Sequence, residues 1–176
     1  MIVSNCTNGS EELDSTTLIY QKERWQLVGD AQLLCLSSGK HAAIIANFNS
    51  AVGGTSLTVI GAHFGLPNFW DIPNLYKKLG SPRYDVLFMG DTNSWLRTNG
   101  MLFYSLGLRV GTDTPTNSAT FGYPFFLFHF DRIITTLTGP EKTEPVDVLD
   151  IPDGVTPTKG MHKPISLLLP LQLPPS

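Results

Sequence analysis

The stretch Tyr84-Asp85-Val86-Leu87-Phe88-Met89-Gly90-Asp91-Thr92-Asn93 decides the fold. Residues 86–89 form a continuous apolar run, which is typical of a strand that is buried on both faces of a sheet. The run stops at Gly90-Asp91, where polar side chains begin. Rigid strands commonly present functional side chains to the loops at their ends. The stretch therefore predicts a central buried strand with a candidate site at its carboxyl end.

The flanking sequence predicts further strands and a few helices. Upstream, short turns separate apolar or β-prone runs, which favours an antiparallel meander with strands at 17–21, 32–36, 42–48 and 57–63. Two helices are predicted, at 71–79 before Gly80 and at 94–106 before Gly107. Residues 112–123 are predicted to form a loop, and further strands are predicted at 125–135, 146–149 and 164–169. This mixture predicts an α+β or layered α/β domain.

Length and composition indicate one globular domain. The chain has 176 residues, of which 41% are hydrophobic and 15% charged. We predict a frayed segment at 1–14, a domain at 15–169 and a proline-rich tail at 170–176. The net charge of −3, with scattered basic residues, does not favour extended binding to a nucleic-acid backbone.

Two cysteines, Cys6 and Cys35, form neither a disulfide framework nor a metal motif, and we expect them to be reduced thiols. No run is long enough for a transmembrane helix, and residues 1–14 lack the apolar core of a signal peptide. The sequence therefore predicts a soluble, intracellular protein.

Polar residues that can carry chemistry follow or interrupt the predicted strands. Taken one at a time, a histidine on a strand or an aspartate before a helix is more often structural. Asp131 differs because a carboxylate on an apolar strand needs a partner. The adjacent Arg132 should point to the opposite face of the strand, so a histidine is the better candidate partner for Asp131. The full set is His63, Asp91, Asn93, Asp131 and His162.

Taken in order, these residues resemble the motifs of the endonuclease/exonuclease/phosphatase superfamily. The matching strings are Thr-Val-Ile-Gly-Ala-His at 58–63, Gly-Asp-Thr-Asn at 90–93, Asp-Arg-Ile at 131–133 and His-Lys-Pro-Ile at 162–165. The resemblance implies a DNase-like four-layer α/β/β/α sandwich of two packed, mostly antiparallel sheets. It also implies a Mg²⁺-dependent phosphoesterase, with Mn²⁺ as a substitute metal.

The resemblance also implies a role for each residue. Asp91 would position or deprotonate the attacking water, and Asn93 would orient this water and donate a hydrogen bond to the phosphate. His162 would stabilise the phosphate while Asp131 holds its ring, and His63 would be a second phosphate-facing or acid–base histidine. The basic residues Arg132 and Lys163 are added to the expected substrate contacts.

Two departures from the family pattern affect the metal. The family has a segment with a metal-binding Glu before the strand at 17–21, so the chain is expected to be incomplete at its amino end, without the first family strands. Glu11, Glu12 and Glu23 are the nearest acids, and none is a convincing replacement.

The second departure is Met161, which stands where the family has a metal-binding Asp, and a thioether is a poor ligand for Mg²⁺. The expected metal ligands are therefore Asp91 and Asn93 alone, which predicts weak binding of Mg²⁺.

Three interpretations follow from the sequence. The first is hydrolysis of a phosphoester in nucleic acid, an inositol phosphate or a phospholipid headgroup, weakened by the missing ligands. The second is a non-catalytic relative that acts as a binding module. The third is an unrelated α+β domain, in which the five polar residues would be scattered over the fold instead of meeting in one cleft.

Overall fold

The computed structural model of the chain describes residues 1–8, 11–36, 39–65, 71–93, 112–114, 120–121, 130–137, 147–156, 158, 162 and 164–166. Most of the described strands form one six-stranded mixed sheet. In spatial order its strands are β3 (Trp25–Leu36), β4 (His41–Ser50), β5 (Ser56–His63), β6 (Asp85–Asp91), β8 (Asp131–Thr135) and β7 (Thr112–Thr114).

The first half of this sheet is the predicted meander. Strands β3, β4 and β5 pair antiparallel in sequence order. Strand β6 then pairs parallel with β5, and the connection between them contains helix α1 (Asp71–Leu79). A parallel pair requires such a crossover. The observed bounds of α1 are those predicted, and the buried Asp71 carboxylate accepts a 2.7 Å hydrogen bond from the Gly65 N–H just before it.

Each face of the sheet carries its own apolar core. Helix α1 covers one face, where Leu75 packs with Val86, Phe88 and Ile134. A two-stranded hairpin covers the other face, where Leu18 packs against alternate residues of the meander. The order of layers is helix, sheet, sheet, as expected for three of the four layers of a sandwich of two packed sheets.

The hairpin corrects the prediction that residues 1–14 are frayed. Its strands are β1 (Ile2–Asn8) and β2 (Glu11–Leu18), which pair antiparallel. The polar sequence suggested disorder, but the hairpin is held by contacts with the sheet that no local pattern reveals. Ser4 is buried, and the Thr16 hydroxyl donates a 2.9 Å hydrogen bond to the Ala42 carbonyl.

The expectation of two reduced thiols is also wrong. Cys6 of β1 and Cys35 of β3 form a disulfide, with their Cα atoms 5.6 Å apart. The two cysteines are 29 residues apart in sequence, so only the packing of the hairpin on the sheet brings them together. The disulfide therefore joins the two sheets covalently.

Other boundaries differ from the sequence predictions in detail. The strand expected at 17–21 lies earlier, as β2, and β7 lies within the segment predicted to be a loop. The later predicted strands are present in part, as β8 and as the short antiparallel pair β9 (Asp147–Val148) and β10 (Ile165–Ser166). The predicted helix at 94–106 and the tail at 170–176 lie outside the described residues. Within the described ranges, no helix is long and apolar enough to cross a membrane.

Candidate active site

Three of the predicted residues lie side by side at one edge of the six-stranded sheet. His63 pairs with Asp91 across the parallel strands β5 and β6, and Asp91 pairs with Asp131 across the antiparallel strands β6 and β8. Residues in one row of a sheet project from the same face. The register of three strands thus produces a row of His, Asp and Asp side chains, which contradicts the interpretation that these residues are scattered over the fold.

A close approach of β5 and β6 supports this row. A Cβ atom at Gly90 would lie 1.9 Å from the backbone oxygen of Ala62, so no side chain fits there. The next residues extend the contact, because the Phe64 N–H donates a 2.9 Å hydrogen bond to the Asp91 carbonyl. Glycine at position 90 therefore allows the two strand ends to approach each other.

His162 lies between the two carboxylates of the row. Its Nδ1 is 2.8 Å from Asp131 Oδ2, and its Nε2 is 3.6 Å from Asp91 Oδ2. Phe121 packs against the imidazole, with ring centroids 4.6 Å apart. The expected His–carboxylate pair between His162 and Asp131 is therefore present in the structure.

These neighbours shift two pKa values in the same direction. Burial raises the pKa of the Asp91 carboxyl, and the charge of Asp131 raises it further, against the hydrogen bond that Asp91 accepts from the Asn93 N–H. Burial alone would lower the pKa of His162. The hydrogen bond to Asp131 and the charges of Asp131 and Asp91 outweigh burial, so the pKa of His162 is raised. The cleft therefore favours a protonated histidine beside a partly desolvated carboxylate.

His63 and Asn93 form a second polar network. Asn93 lies in the left-handed region with φ of 47°, and its backbone N–H donates a 2.7 Å hydrogen bond to Asp91 Oδ1. Its amide nitrogen is 2.7 Å from the Phe64 carbonyl and 3.2 Å from His63 Nε2. Both amide hydrogens are thereby used, and His63 Nε2 is the acceptor of one of them.

This arrangement differs from the role expected of Asn93. An amide whose two hydrogens are already donated has only its oxygen left for a ligand. The hydrogen bond from Asn93 to a phosphate, which the family resemblance implies, would require the existing contacts to break.

The row lines an open cavity of about 530 Å³. His63, Asp91, Asp131 and His162 line it. Four residues of β2 also line it, namely Ser15, Thr16, Thr17 and Leu18. The cavity therefore lies between the two sheets and is large enough for a small phosphorylated compound or one nucleotide unit.

The described residues fit Mg²⁺ only loosely. Mg²⁺ prefers six oxygen ligands and often keeps several waters, with one or two carboxylates and phosphate oxygens from the substrate. Asp91 Oδ1 already accepts the Asn93 N–H, which leaves Oδ2 and the Asn93 amide oxygen as ligands. Asp131 Oδ2 is engaged by His162. Such a set suits a hydrated ion that is completed by substrate and does not suit an enclosed metal site.

The two basic residues expected to contact substrate have different outcomes. Arg132 is 2% exposed and already has a partner within the fold, which contradicts its predicted contact with substrate. The alternation of side chains along β8 explains its position, because its neighbour Asp131 faces the cavity. Lys163 and Met161 lie outside the described residues.

Two residues of the site, Asp14 and His41, were not predicted. Asp14 Oδ1 is 3.1 Å from His63 Nδ1, and its Oδ2 accepts a 2.6 Å hydrogen bond from the Ala42 N–H. The rings of His41 and His63 pack edge to face, with centroids 4.6 Å apart. The sequence contained one signal for His41. It directly precedes the predicted strand at 42–48, and antiparallel pairing places the amino end of that strand beside the carboxyl end of its neighbour at 57–63, where His63 lies.

Solved structures share this architecture at low sequence identity. A Bacteroides vulgatus endonuclease/exonuclease/phosphatase has a TM-score of 0.64 at 14% identity, over 95% of this chain and 76% of its own. Zebrafish (D. rerio) TDP2, solved with a single-stranded DNA product, has a TM-score of 0.58 at 15% identity, over 94% and 75%. The mannosyl-6-phosphatase Bt3783 of Bacteroides thetaiotaomicron has a TM-score of 0.56 at 15% identity, over 85% and 69%.

Comparison of sequences alone gives no such match. No protein-family model matches the chain, and no curated protein matches it. The likeness therefore lies in the arrangement of the strands, helix and sheets described above. The chain has the DNase-like fold of the endonuclease/exonuclease/phosphatase proteins.

Proposed function

We propose that this protein hydrolyses phosphoester bonds at the cavity between its two sheets. The observation that carries the proposal is the placement of His162 between two carboxylates, 2.8 Å from Asp131 and 3.6 Å from Asp91. A phosphoryl group in this cavity would meet a cationic imidazole and, beside it, a carboxylate that can act on a water molecule. Stabilisation of the developing charge and removal of a proton are the two requirements of phosphoester hydrolysis.

The division of labour follows from the environment of each group. Asp91 accepts a proton from the attacking water while the oxygen of that water forms the new bond to phosphorus. Protonated His162 donates a hydrogen bond to a phosphoryl oxygen, and Asp131 keeps its ring charged and oriented. The bond from phosphorus to the leaving oxygen breaks, and this oxygen takes a proton from solvent or from a neighbouring imidazole.

His63 and Asn93 have a supporting role in this proposal. The backbone N–H of Asn93 donates to Asp91 at the end of β6, and its side-chain amide donates to His63. His63 is 36% exposed, and its Nε2 is 3.8 Å from Asp91 Oδ2, so it can contact the substrate beside the water site. We therefore propose that Asn93 acts mainly by positioning its neighbours.

A bound Mg²⁺ would neutralise charge on the phosphoryl oxygens. Asp91 Oδ2 and the Asn93 amide oxygen would hold it, together with waters. Mn²⁺ has the same preference for oxygen ligands and would be accepted in its place. Because the protein offers few oxygens, we expect weak binding of the metal and activity that rises over a broad range of Mg²⁺ concentration.

The substrate class is proposed from the cavity and from two proteins of the same fold. TDP2 was solved with a DNA product, and Bt3783 is a mannosyl-6-phosphatase, so this fold accommodates both nucleic acid and a small phosphorylated sugar. The net charge of −3 favours a compact phosphorylated compound over a long nucleic-acid contact. Nucleic acid, inositol phosphates and phospholipid headgroups remain the classes to compare.

The test is hydrolysis of bis(p-nitrophenyl) phosphate, p-nitrophenyl phosphate and plasmid DNA with and without Mg²⁺. We expect Mg²⁺-dependent turnover that is lost in Asp91→Ala. Asp85→Ala is the matched control, because Asp85 lies on the same strand at its opposite end. Preference for the diester, the monoester or the plasmid would assign the substrate class.

A second function, as a non-catalytic binding module, is favoured by one observation, the small number of oxygen ligands beside Asp91. It predicts that folded protein binds phosphate compounds in the cavity but turns none over, whatever the metal. Saturable binding of inositol phosphates or mononucleotides, measured by calorimetry on protein without turnover, would replace the enzymatic proposal.

A further inference from the structure

We propose that Asp14, His41 and His63 form a binding site for a borderline divalent cation of the Zn²⁺ type. This site differs from the Mg²⁺ position beside Asp91 and goes beyond the proposed hydrolysis. One ligand atom of each residue lies within 4.8 Å of the other two. The three residues come from β2, β4 and β5, so the site would bridge the hairpin and the six-stranded sheet.

The spacing fits a tetrahedral ion with one open position. Zn²⁺ lies about 2.0–2.2 Å from nitrogen and oxygen ligands, so two tetrahedral ligands are about 3.3 Å apart. Asp14 Oδ1 and His63 Nδ1 are 3.1 Å apart, and Asp14 Oδ2 and His41 Nδ1 are 4.0 Å apart. The three ligand atoms lie within 4.8 Å of one another, so binding of one ion requires side-chain rotations that bring them closer, by up to about 1.5 Å for the longest pair.

An independent observation points to a missing partner at the same place. The Nδ1 atom of His41 is inaccessible to solvent and has no hydrogen-bond partner among the described residues. A buried polar atom without a partner is uncommon in native proteins, and an ion or a water molecule usually explains it. His41 Nδ1 faces Asp14, whose carboxylate supplies the negative charge that a cation needs.

The donor set selects the type of cation. Two imidazoles and one carboxylate suit Zn²⁺, whereas Mg²⁺ and Ca²⁺ prefer oxygen ligands alone. The surroundings also resemble the outer contacts of a metal site, because the Ala42 N–H donates a 2.6 Å hydrogen bond to Asp14 Oδ2 and orients the carboxylate. Neither cysteine competes, because both are in the disulfide.

Binding at this site would reach the cavity through His63. An ion on Nδ1 displaces the single ring proton that is shared with Asp14, and the neutral imidazole then carries its one proton on Nε2. Nε2 then changes from an acceptor of the Asn93 amide to a donor. A carboxylate acceptor, Asp91 Oδ2, lies 3.8 Å away. The cation would therefore change the hydrogen bonding of Asp91 without contacting it.

The test uses metal binding and not activity, so its result is independent of whether the protein hydrolyses phosphoesters. Tag-free oxidised protein is stripped with chelator and titrated with Zn²⁺ alone by calorimetry, and with Co²⁺ by visible absorption. We expect one ion per chain, the intense Co²⁺ bands of tetrahedral coordination, and a melting temperature that rises with Zn²⁺ concentration. A millimolar excess of Mg²⁺ should not displace the ion.

Variants locate the site. His41→Gln and Asp14→Asn should each weaken Zn²⁺ binding by about tenfold or more, because each removes one of three ligands. His162→Gln and Asp91→Asn are matched controls in the neighbouring cleft and should retain the affinity of the wild type. If the controls lose the ion while His41→Gln keeps it, the cation lies beside Asp91 and the proposal is wrong.

A measurement on the unmodified chain covers the case in which His41→Gln does not fold. Imidazole ¹⁵N resonances of the wild-type protein should shift on addition of Zn²⁺ for His41 and His63, with metal bound at Nδ1 of His63. Absence of saturable binding, or shifts confined to the other histidines, would overturn the proposal and leave a buried water molecule as the partner of His41 Nδ1.

Discussion

Asp131→Asn isolates the role of the carboxylate behind His162. The change keeps the shape of the side chain but removes its charge, so the 2.8 Å contact becomes an ordinary hydrogen bond. Hydrogen bonds to charged groups contribute about 1.5–3 kcal/mol, and about 1.4 kcal/mol corresponds to a tenfold change in rate. His162 is 28% exposed and Asp131 17% exposed, which favours the lower half of this range. We therefore expect kcat/KM to fall about 10- to 50-fold.

The pH dependence distinguishes this role from general damage to the structure. Asp131 raises the pKa of His162, so the cationic imidazole persists above its ordinary pH range. In Asp131→Asn the basic limb of the pH profile should move to lower pH. The contribution of His162 to the free energy of unfolding should likewise be lost at lower pH in the variant. In the wild type it is fully present below the unfolded pKa of about 6.5 and is lost as pH rises through the raised folded pKa.

The assay is the pH profile of kcat/KM for bis(p-nitrophenyl) phosphate at saturating Mg²⁺. Asp85→Asn is the control, because Asp85 also accepts a 2.8 Å hydrogen bond, from the Thr136 hydroxyl, but lies outside the cavity. A basic limb that does not move in Asp131→Asn would refute the assignment of His162 as the cationic group. An equal loss in both variants would show that the effect is not local to the site.

Three further changes test other parts of the structure. Asp91→Asn should lower the rate of hydrolysis about 10²-fold or more. It should not lower the free energy of unfolding at pH 7, because burial raises the pKa of this carboxyl and its ionised form is unfavourable in the fold. Urea unfolding of the wild type and the variant measures the difference in stability. Reduction of the Cys6–Cys35 disulfide should lower the free energy of unfolding by about 3.6 kcal/mol, from the chain entropy of a loop spanning 29 residues. In the same experiment, the stability of a Cys→Ala double variant should not change when reductant is added. Gly90→Ala should destabilise the fold by about 3 kcal/mol or more, because the new Cβ would meet the Ala62 carbonyl at 1.9 Å. A smaller loss of stability, measured by thermal unfolding, would mean that β5 and β6 can separate without disrupting the sheet.

The central sheet was predictable because its signals are local. Continuous apolar runs mark β4, β5 and β6, and Gly80 ends helix α1 where the sequence indicates. The hairpin was not predictable in this way. Its strands consist largely of Ser, Thr, Asn and Glu, and their stability depends on contacts with β3 and β4 and on a disulfide to a distant residue.

The site was predicted in part for the same reason. Motif order identified His63, Asp91, Asp131 and His162. The strand register brings the first three together, and His162 joins them through its 2.8 Å contact with Asp131. Asp14 was missed because it is 49 residues from His63 in sequence and lies in a segment without an apolar pattern. Alternation along β8 predicted that Arg132 points to the face opposite Asp131. The added prediction that Arg132 contacts substrate is contradicted by its burial.

Asn93 meets three separate requirements at one position, which limits how the chain can vary there. Its backbone has φ of 47°, its N–H anchors Asp91, and its amide joins Phe64 to His63. Glycine would keep the turn but release the imidazole, whereas alanine or a β-branched residue would strain the turn itself. Aspartate tolerates the turn but places an acceptor against the Phe64 carbonyl. In a library of all substitutions at this codon, asparagine alone should retain both the shape of the strand end and the orientation of its histidine.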